Sequence, residues 1–197
     1  MKMIILDAGH GSGTPGKRSP KWEDGAPQLL EWAYNRRLVA AISDKLTRCG
    51  IANTVLVPEE EDIPLRVRCQ RANDISMRNG IARTLVVSVH CNAAQQPNTG
   101  TGWEVHTSPG KTKADEYAAF FLREAGRQLG KDFRIRGHYD SNFYILRRTA
   151  SPALLTENLF YDNRRDYDFM MTTEGFNQLV NLHVDAIIEI CKATVGL

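Results

Sequence analysis

The sequence predicts a single α/β domain built on a twisted, mainly parallel sheet flanked by helices. Three observations predict it. Short apolar runs alternate along the chain with amphipathic stretches of helical period. Three of those runs, Met3–Leu6, Leu85–Val89 and Ala153–Thr156, lack the polar alternation of a half-exposed strand. They therefore read as strands buried on both faces, the habit of parallel sheets. Finally, 197 residues with a 42% hydrophobic and 24% charged composition suit one domain with a substantial core.

Taken in order, Met3–Leu6 is the first strand, and Gly11–Pro27 is a Gly/Pro/Ser/Lys-rich loop. That loop is long for a compact domain, and such loops often carry function. Helical period follows, with Tyr34, Leu38, Ala41, Ile42, Leu46 and Cys49 on one face and Gly50 as the stop. Ile51–Val57 reads as a second strand. Glu59 to Asp62 is a solvated acidic run that also suits the positive end of the next helix, Pro64–Asn79. The apolar stripe of that helix is Leu65, Cys69, Ala72 and Ile75.

The strand Leu85–Val89 ends on His90, and a polar loop, Cys91–Thr99, leads to a strand at Gly102–His106. After the turn at Ser108-Pro109-Gly110, an amphipathic helix covers Lys113–Leu129. Phe133–Arg148 is a basic, aromatic loop holding a short strand around Phe143–Leu146. The strand carrying Glu157 comes next, then the polar stretch Asp162–Asp168. The last helix, Thr173–Ala193, buries Phe176, Leu179, Val180, Val184, Ile187, Ile188 and Cys191. Repeats, low-complexity segments and linkers are absent, so residues 1–197 are expected to form one domain.

Composition excludes several function classes. A net charge of +2 with no basic run longer than two residues argues against nucleic acid. No stretch approaches the length of a membrane span, so no membrane insertion is expected. Four scattered cysteines, Cys49, Cys69, Cys91 and Cys191, form no CxxC pair and read as reduced, mostly buried thiols. The N-terminus lacks a signal-peptide core, which implies synthesis in the cytoplasm.

Chemistry concentrates where the strands end. Open α/β sheets bind ligands beyond the carboxyl ends of their strands. His10 sits there in a Gly-His-Gly turn, His90 ends an apolar strand, and Glu157 interrupts another. Two imidazoles and a carboxylate at one sheet edge can form a catalytic zinc site. Each residue also has a plainer reading. His10 could be an ordinary loop histidine, His90 a satisfied core histidine, and Glu157 half of an ion pair with Arg147 or Arg148. Asp7 could orient an imidazole from behind or merely shape a turn. Glu31 opens the first helix, where a glutamate suits the helix dipole. His106, His138 and His183 read as structural or surface residues, with His138 kept as a possible substrate contact.

The order of these elements carries a resemblance. Leu6-Asp7-Ala8-Gly9-His10-Gly11, Glu31-x-x-x-Asn35 and Leu65-x-x-Arg68-x-x-x-Ala72-Asn73 are followed by Val87-Ser88-Val89-His90-Cys91-Asn92 and Leu155-Thr156-Glu157-Asn158-Leu159-Phe160. In that order they resemble the zinc-dependent family-3 N-acetylmuramoyl-L-alanine amidases over nearly the whole chain. The resemblance implies a phosphorylase/hydrolase-like sheet with a Zn2+ site at the C-terminal edge of its strands. It implies His10, Glu31 and His90 as metal ligands, Glu157 as the catalytic carboxylate, and peptidoglycan as substrate. The loop after His10 and the segment Gly137–Tyr144 are expected to shape the groove. Two residues depart from the family's habit: Cys91, where a small residue is usual, and Leu159, where glycine is common and which is expected to reshape the pocket floor.

With no wall-binding module, repeat or linker read in the sequence and no signal-peptide core, a phage-type endolysin made in the cytoplasm and acting on the wall after release is expected. A trimmed secreted autolysin or cell-division amidase is the other biological setting. The alternative chemistries are another zinc hydrolase of the cell wall, a peptidase or deacetylase, and an inactive peptidoglycan-binding module.

Overall fold

In the computed structural model, which describes residues 1–194, six strands form one sheet between two helical layers. The elements run β1 (Met3–Ala8), α1 (Glu31–Arg48), β2 (Asn53–Val55), α2 (Leu65–Asn79), β3 (Thr84–Asn92), β4 (Trp103–Thr107) and α3 (Lys113–Leu129). They continue with β5 (Ile135–Asp140), α4 (Tyr144–Arg148), β6 (Ala153–Phe160), α5 (Arg164–Met171) and α6 (Thr173–Ala193). The strand order is β2-β1-β3-β6-β4-β5. The first four are mutually parallel, β4 is antiparallel to β6, and β5 is parallel to β4. The α/β class and mainly parallel sheet are as the sequence predicts.

Side chains alternate across each strand, so the sheet feeds two cores. Ile4, Leu6, Leu85, Val87 and Leu154 face the larger one, with Leu38 and Ile42 of α1, Phe121 of α3 and Leu179 and Ile187 of α6. Each such side chain, fully buried, contributes about 1.5–3 kcal/mol. Ile5, Val86 and Leu155 face the smaller core, under Cys69 and Ala72 of α2 and Ile145 and Leu146 of α4. Because α2 and α4 cover that face only partly, a cleft opens between them above the ends of β1, β3 and β6.

Several local expectations are corrected. The segment around Phe143–Leu146 is a helix, α4, because its adjacent residues Ile145 and Leu146 are both buried. A strand would send neighbours to opposite faces. The strand of that region is β5 instead. It carries Arg136, His138 and Asp140 and lies at the sheet edge, where no apolar run is required. The polar stretch after Glu157 holds α5, started by Asn163, whose side chain accepts from the Arg165 and Asp166 backbone N–H groups.

Leu65 is exposed and borders the cleft, and the buried polar residue on α2 is Arg68. The acidic run is solvated as expected, with Glu60, Glu61 and Asp62 exposed, and it is also strapped down. Arg36 donates to the Glu59 and Glu61 carbonyls, Arg71 pairs with Glu59, and Asp62 accepts from Thr14. Of the four thiols, all free, Cys69 and Cys91 are buried, Cys191 is half-buried and Cys49 is exposed.

Candidate active site

The first strand delivers His10 in an unusual conformation. His10 has φ +63°, the left-handed region that a residue with a Cβ seldom adopts. The neighbouring glycines are there for space, not for that bend. A Cβ on Gly9 would lie 2.3 Å from the His90 ring, and one on Gly11 would lie 2.2 Å from the Asp62 backbone. The strained turn is held from beneath by Arg68. Its guanidinium donates to the carbonyls of Ala8 (2.7 Å), His10 (2.9 Å) and Ile63 (2.8 Å) and to Asp7 Oδ1 (2.9 Å). Asp7 also accepts from Ser88 Oγ at 2.6 Å. Asp7 is thus the counter-ion of a buried arginine, not the partner of an imidazole.

Glu31 is the first residue of α1, fully buried, and points at both histidines. Its Oε1 lies 3.2 Å from His10 Nε2 and 3.4 Å from His90 Nδ1, and accepts from the Cys91 backbone N–H at 3.2 Å. The imidazole rings stand edge to face, 4.9 Å apart. One nitrogen from each ring and one Glu31 oxygen all fall within 4.8 Å of one another. Asn35, one helical turn on, donates to the Gly9 carbonyl at 3.4 Å and ties α1 to the His10 turn. Burial opposes ionisation of Glu31, but hydrogen bonds from both imidazoles outweigh it and hold the carboxyl far below its ordinary range. Burial likewise works against a charge on His90, yet Glu31 and then Glu157 shift that group upward. The second Glu31 oxygen is buried with no hydrogen-bond partner, and Lys17 Nζ approaches it only to 3.9 Å.

Glu157 sits directly across the β3–β6 ladder from His90. Both residues line a cleft of about 340 Å³, together with Lys17, Leu65, Phe143 and Tyr144. The Oε2 atom of Glu157 is shut away from solvent without a partner. Burial pushes its carboxyl up to about 8; His90 opposes the shift, and the charges of Glu31 and Glu104 add to it. No ion pair among the described residues involves Glu157, and Arg147 and Arg148 line a different groove. The strand holding Glu157 is fixed by Asn158, which donates to the His90 carbonyl at 2.8 Å and accepts from the Trp103 indole at 2.9 Å. Beyond it, Leu159 is fully buried at φ +67°. It occupies a bulge where β6 shifts register against β3, so it belongs to the larger core rather than the pocket floor.

Comparison with known proteins gives this geometry its setting. The family model described as N-acetylmuramoyl-L-alanine amidase matches residues 4–189. The chain belongs to that family. It is accordingly a hydrolase acting on the amide of peptidoglycan. It is 29% identical over 188 residues to the N-acetylmuramoyl-L-alanine amidase CwlM of Bacillus licheniformis, covering 95% of this chain and 68% of that one. It is 30% identical over 196 residues to an endolysin of Bacillus phage SPP1, covering 96% and 66%. The chain thus spans about two thirds of the length of these relatives. Among solved structures, the N-acetylmuramoyl-L-alanine amidase from Clostridium difficile 630 shares the fold, with TM-score 0.85, 24% identity and coverage of 98% and 97%.

The amidase fold brings His10, His90 and Glu157 to one cleft, with Glu31 buried behind the two imidazoles, and it leaves His138 outside. His138 lies on β5, its Nε2 2.6 Å from Thr107 Oγ1 and 3.7 Å from Asp115. Sequence reasoning passed over the structural weight of Arg68. An arginine on the predicted apolar face of α2, one position from Cys69, was the available signal. No described helix is long and apolar enough to cross a membrane.

Proposed function

We propose that the chain hydrolyses the amide between N-acetylmuramic acid and L-alanine of peptidoglycan in a zinc-dependent reaction, with the metal held by His10, Glu31 and His90. The observation that supports this reading is the Glu31 carboxylate. It is fully buried, keeps one oxygen unpartnered, and turns the other toward two imidazole nitrogens. A buried carboxylate with an unsatisfied oxygen is costly unless a cation answers it. Two nitrogens and one oxygen form the donor set of a catalytic zinc site that keeps a position open.

Zinc bound there would supply Lewis-acid polarisation of the scissile carbonyl and acidify a water. The protein supplies the rest. Burial opposes the ionised form of Glu157, which a cation held by the neighbouring ligands would favour. That carboxylate, across the strand pair from His90, takes the proton of the attacking water and passes it to the departing amine of L-alanine. No hydrogen bond among the described residues engages the Glu157 carboxyl, so proton transfer there disrupts none. Phe143, Tyr144 and Leu65 wall the cleft and limit water beside the reacting amide. Asn158 ties β6 to the His90 carbonyl, which keeps Glu157 paired beside His90 across the ladder. The acting location is the cell wall, as for a lysin or remodelling enzyme.

The test is Glu157→Gln, with zinc content, melting temperature and release of stem peptides from purified walls measured on one preparation. The amide keeps shape and removes only proton transfer. A loss of roughly 10²–10⁴ in rate is expected, with fold and zinc retained. A folded, zinc-loaded variant working at the wild-type rate would refute the role of Glu157. Mass spectrometry of the products identifies the bond cut.

A further inference from the structure

The cleft floor continues past Glu157 onto β4 and β5. Two rows of side chains cross the sheet on the cleft face. One runs His90, Glu157, Glu104, Gly137; the other runs Ser88, Leu155, His106, Tyr139. The first two members of each row line the catalytic cleft. The last two members of each form a ledge beside it. There Tyr139 and Phe143, each 40% exposed, flank the buried His106, with ring centroids 5.6 and 5.2 Å from it. Phe143 also walls the cleft, so ledge and cleft are continuous. Gly137, at φ +122°, would carry a Cβ into open space, so the row of Glu157 and Glu104 ends on bare backbone.

The polar groups of the ledge are arranged in one direction. Glu104, nearly buried, accepts from Asn92 Nδ2 at 2.8 Å, from His106 Nε2 at 3.2 Å and from Arg136 Nε. Burial resists its charge, but the His106 and Arg136 hydrogen bonds keep it ionised. An ionised carboxylate only accepts, so His106 carries its hydrogen on Nε2. In the neutral imidazole with that hydrogen on Nε2, His106 Nδ1 accepts from Ser141 Oγ–H at 2.7 Å. With its hydrogen committed inward, Ser141 Oγ presents lone pairs to whatever lies on the ledge. Arg136 is committed to Glu104 and stacked over Phe160, 5.1 Å from that ring.

We propose that this ledge binds the glycan strand of the substrate, seating the sugar next to the muramoyl residue on Tyr139 and Phe143. The proposal rests on the amidase reading above. A neutral pyranose offers polarised C–H bonds to the negative faces of the two rings. Its hydroxyls donate to Ser141. The anionic stem peptide finds no uncommitted cation on the ledge; the exposed cation lining the cleft is Lys17, on the loop after His10. A substrate that extends beyond the bond cut must leave the cleft somewhere, and the ledge is level with the floor.

The experiment measures binding of peptide-free glycan strands, which the enzyme cannot cut, by calorimetry with the full chain. A free stem peptide is titrated in parallel, and stem-peptide release from whole walls is recorded separately. Tyr139→Ala is expected to weaken glycan binding roughly ten-fold, leave peptide binding unchanged, and raise KM on walls without lowering kcat. If Tyr139→Ala fails to fold, Phe143→Ala is read for the loss of glycan binding alone, because Phe143 also walls the cleft, and Tyr139→Phe retains glycan binding. No glycan binding by the wild type, unchanged binding in the folded alanine variants, or a selective loss of peptide binding overturns the proposal. If walls release stem peptides while glycan binding is absent, only the ledge assignment falls. If glycan binds at the ledge but no stem peptide is released, the amidase reading falls instead.

Discussion

Replacing Arg68 with methionine should be among the most damaging single changes outside the proposed metal ligands. The side chain is 2% exposed, and its guanidinium holds Asp7, which is 1% exposed, and the carbonyls of Ala8 and His10. Methionine fills much of the space but removes every donor. Asp7 would keep only the Ser88 hydroxyl. Breaking a buried pair from one side costs about 3–5 kcal/mol, because a charge is left behind without a partner. That is a large part of the roughly 5–15 kcal/mol that stabilises a domain. At about 2–4 °C per kcal/mol for a chain of this size, the melting temperature falls by roughly 6–20 °C. Urea unfolding of chelator-treated protein measures the change without a contribution from bound metal. The double variant Arg68→Met, Asp7→Asn removes the stranded charge and should recover part of the loss, a coupling that a double-mutant cycle reads directly. A loss below about 1 kcal/mol in the single variant, or strict additivity in the double, would refute the reasoning.

Two further outcomes follow from buried residues away from the cleft. His183, buried between Thr156 Oγ1 (2.9 Å) and the Leu179 carbonyl (2.8 Å), is pulled down by burial to about 4. Its folded value lies below the unfolded 6.5, so its neutral form stabilises the fold fully above pH 6.5, and that contribution is lost as pH falls toward 4. The loss reaches about 3 kcal/mol; stability measured from pH 7 to 4 should show a slope in the wild type that is flattened in His183→Gln, and equal slopes would contradict the assignment. Leu159→Gly sets two effects against each other, since the left-handed conformation costs a leucine about 1–2 kcal/mol while a buried leucine lost to a cavity costs about 2–5 kcal/mol. Packing wins, so thermal unfolding should show net destabilisation, and a gain in melting temperature would show that strain dominates.

The parts of the fold legible in the sequence were those in which one physical signal dominated. Strands β1, β3 and β6 are buried on both faces, so their apolar runs were unmistakable, and the polar residues that end them drew attention for the same reason. Strand β5 was missed because an edge strand needs no apolar face, and Arg136, His138 and Asp140 hid it. Helix α5 was missed because only Tyr167 and Met170 of its apolar side chains are fully buried. At the site, His10, His90 and Glu157 stood out from residues alone, whereas Glu31 looked like an ordinary first-turn glutamate and entered through the family resemblance. Its position opposite two imidazoles depends on how α1 packs across the sheet, which local sequence does not encode. Arg68 was hidden for a related reason: its five hydrogen bonds reach residues from positions 7 to 10 and 62 to 63, and no local period announces such a contact.

The central claim is that His10, Glu31 and His90 together hold one catalytic metal. The direct measurement is metal content by elemental analysis of protein purified without added metal, for the wild type, His10→Ala, His90→Ala and Glu31→Gln. Circular dichroism on the same samples confirms that each is folded. The account predicts close to one zinc per wild-type chain and a large loss in each folded variant, with Glu157→Gln retaining its zinc. Full zinc occupancy in folded His90→Ala, or a wild-type chain that takes up no zinc when offered it, would contradict the account.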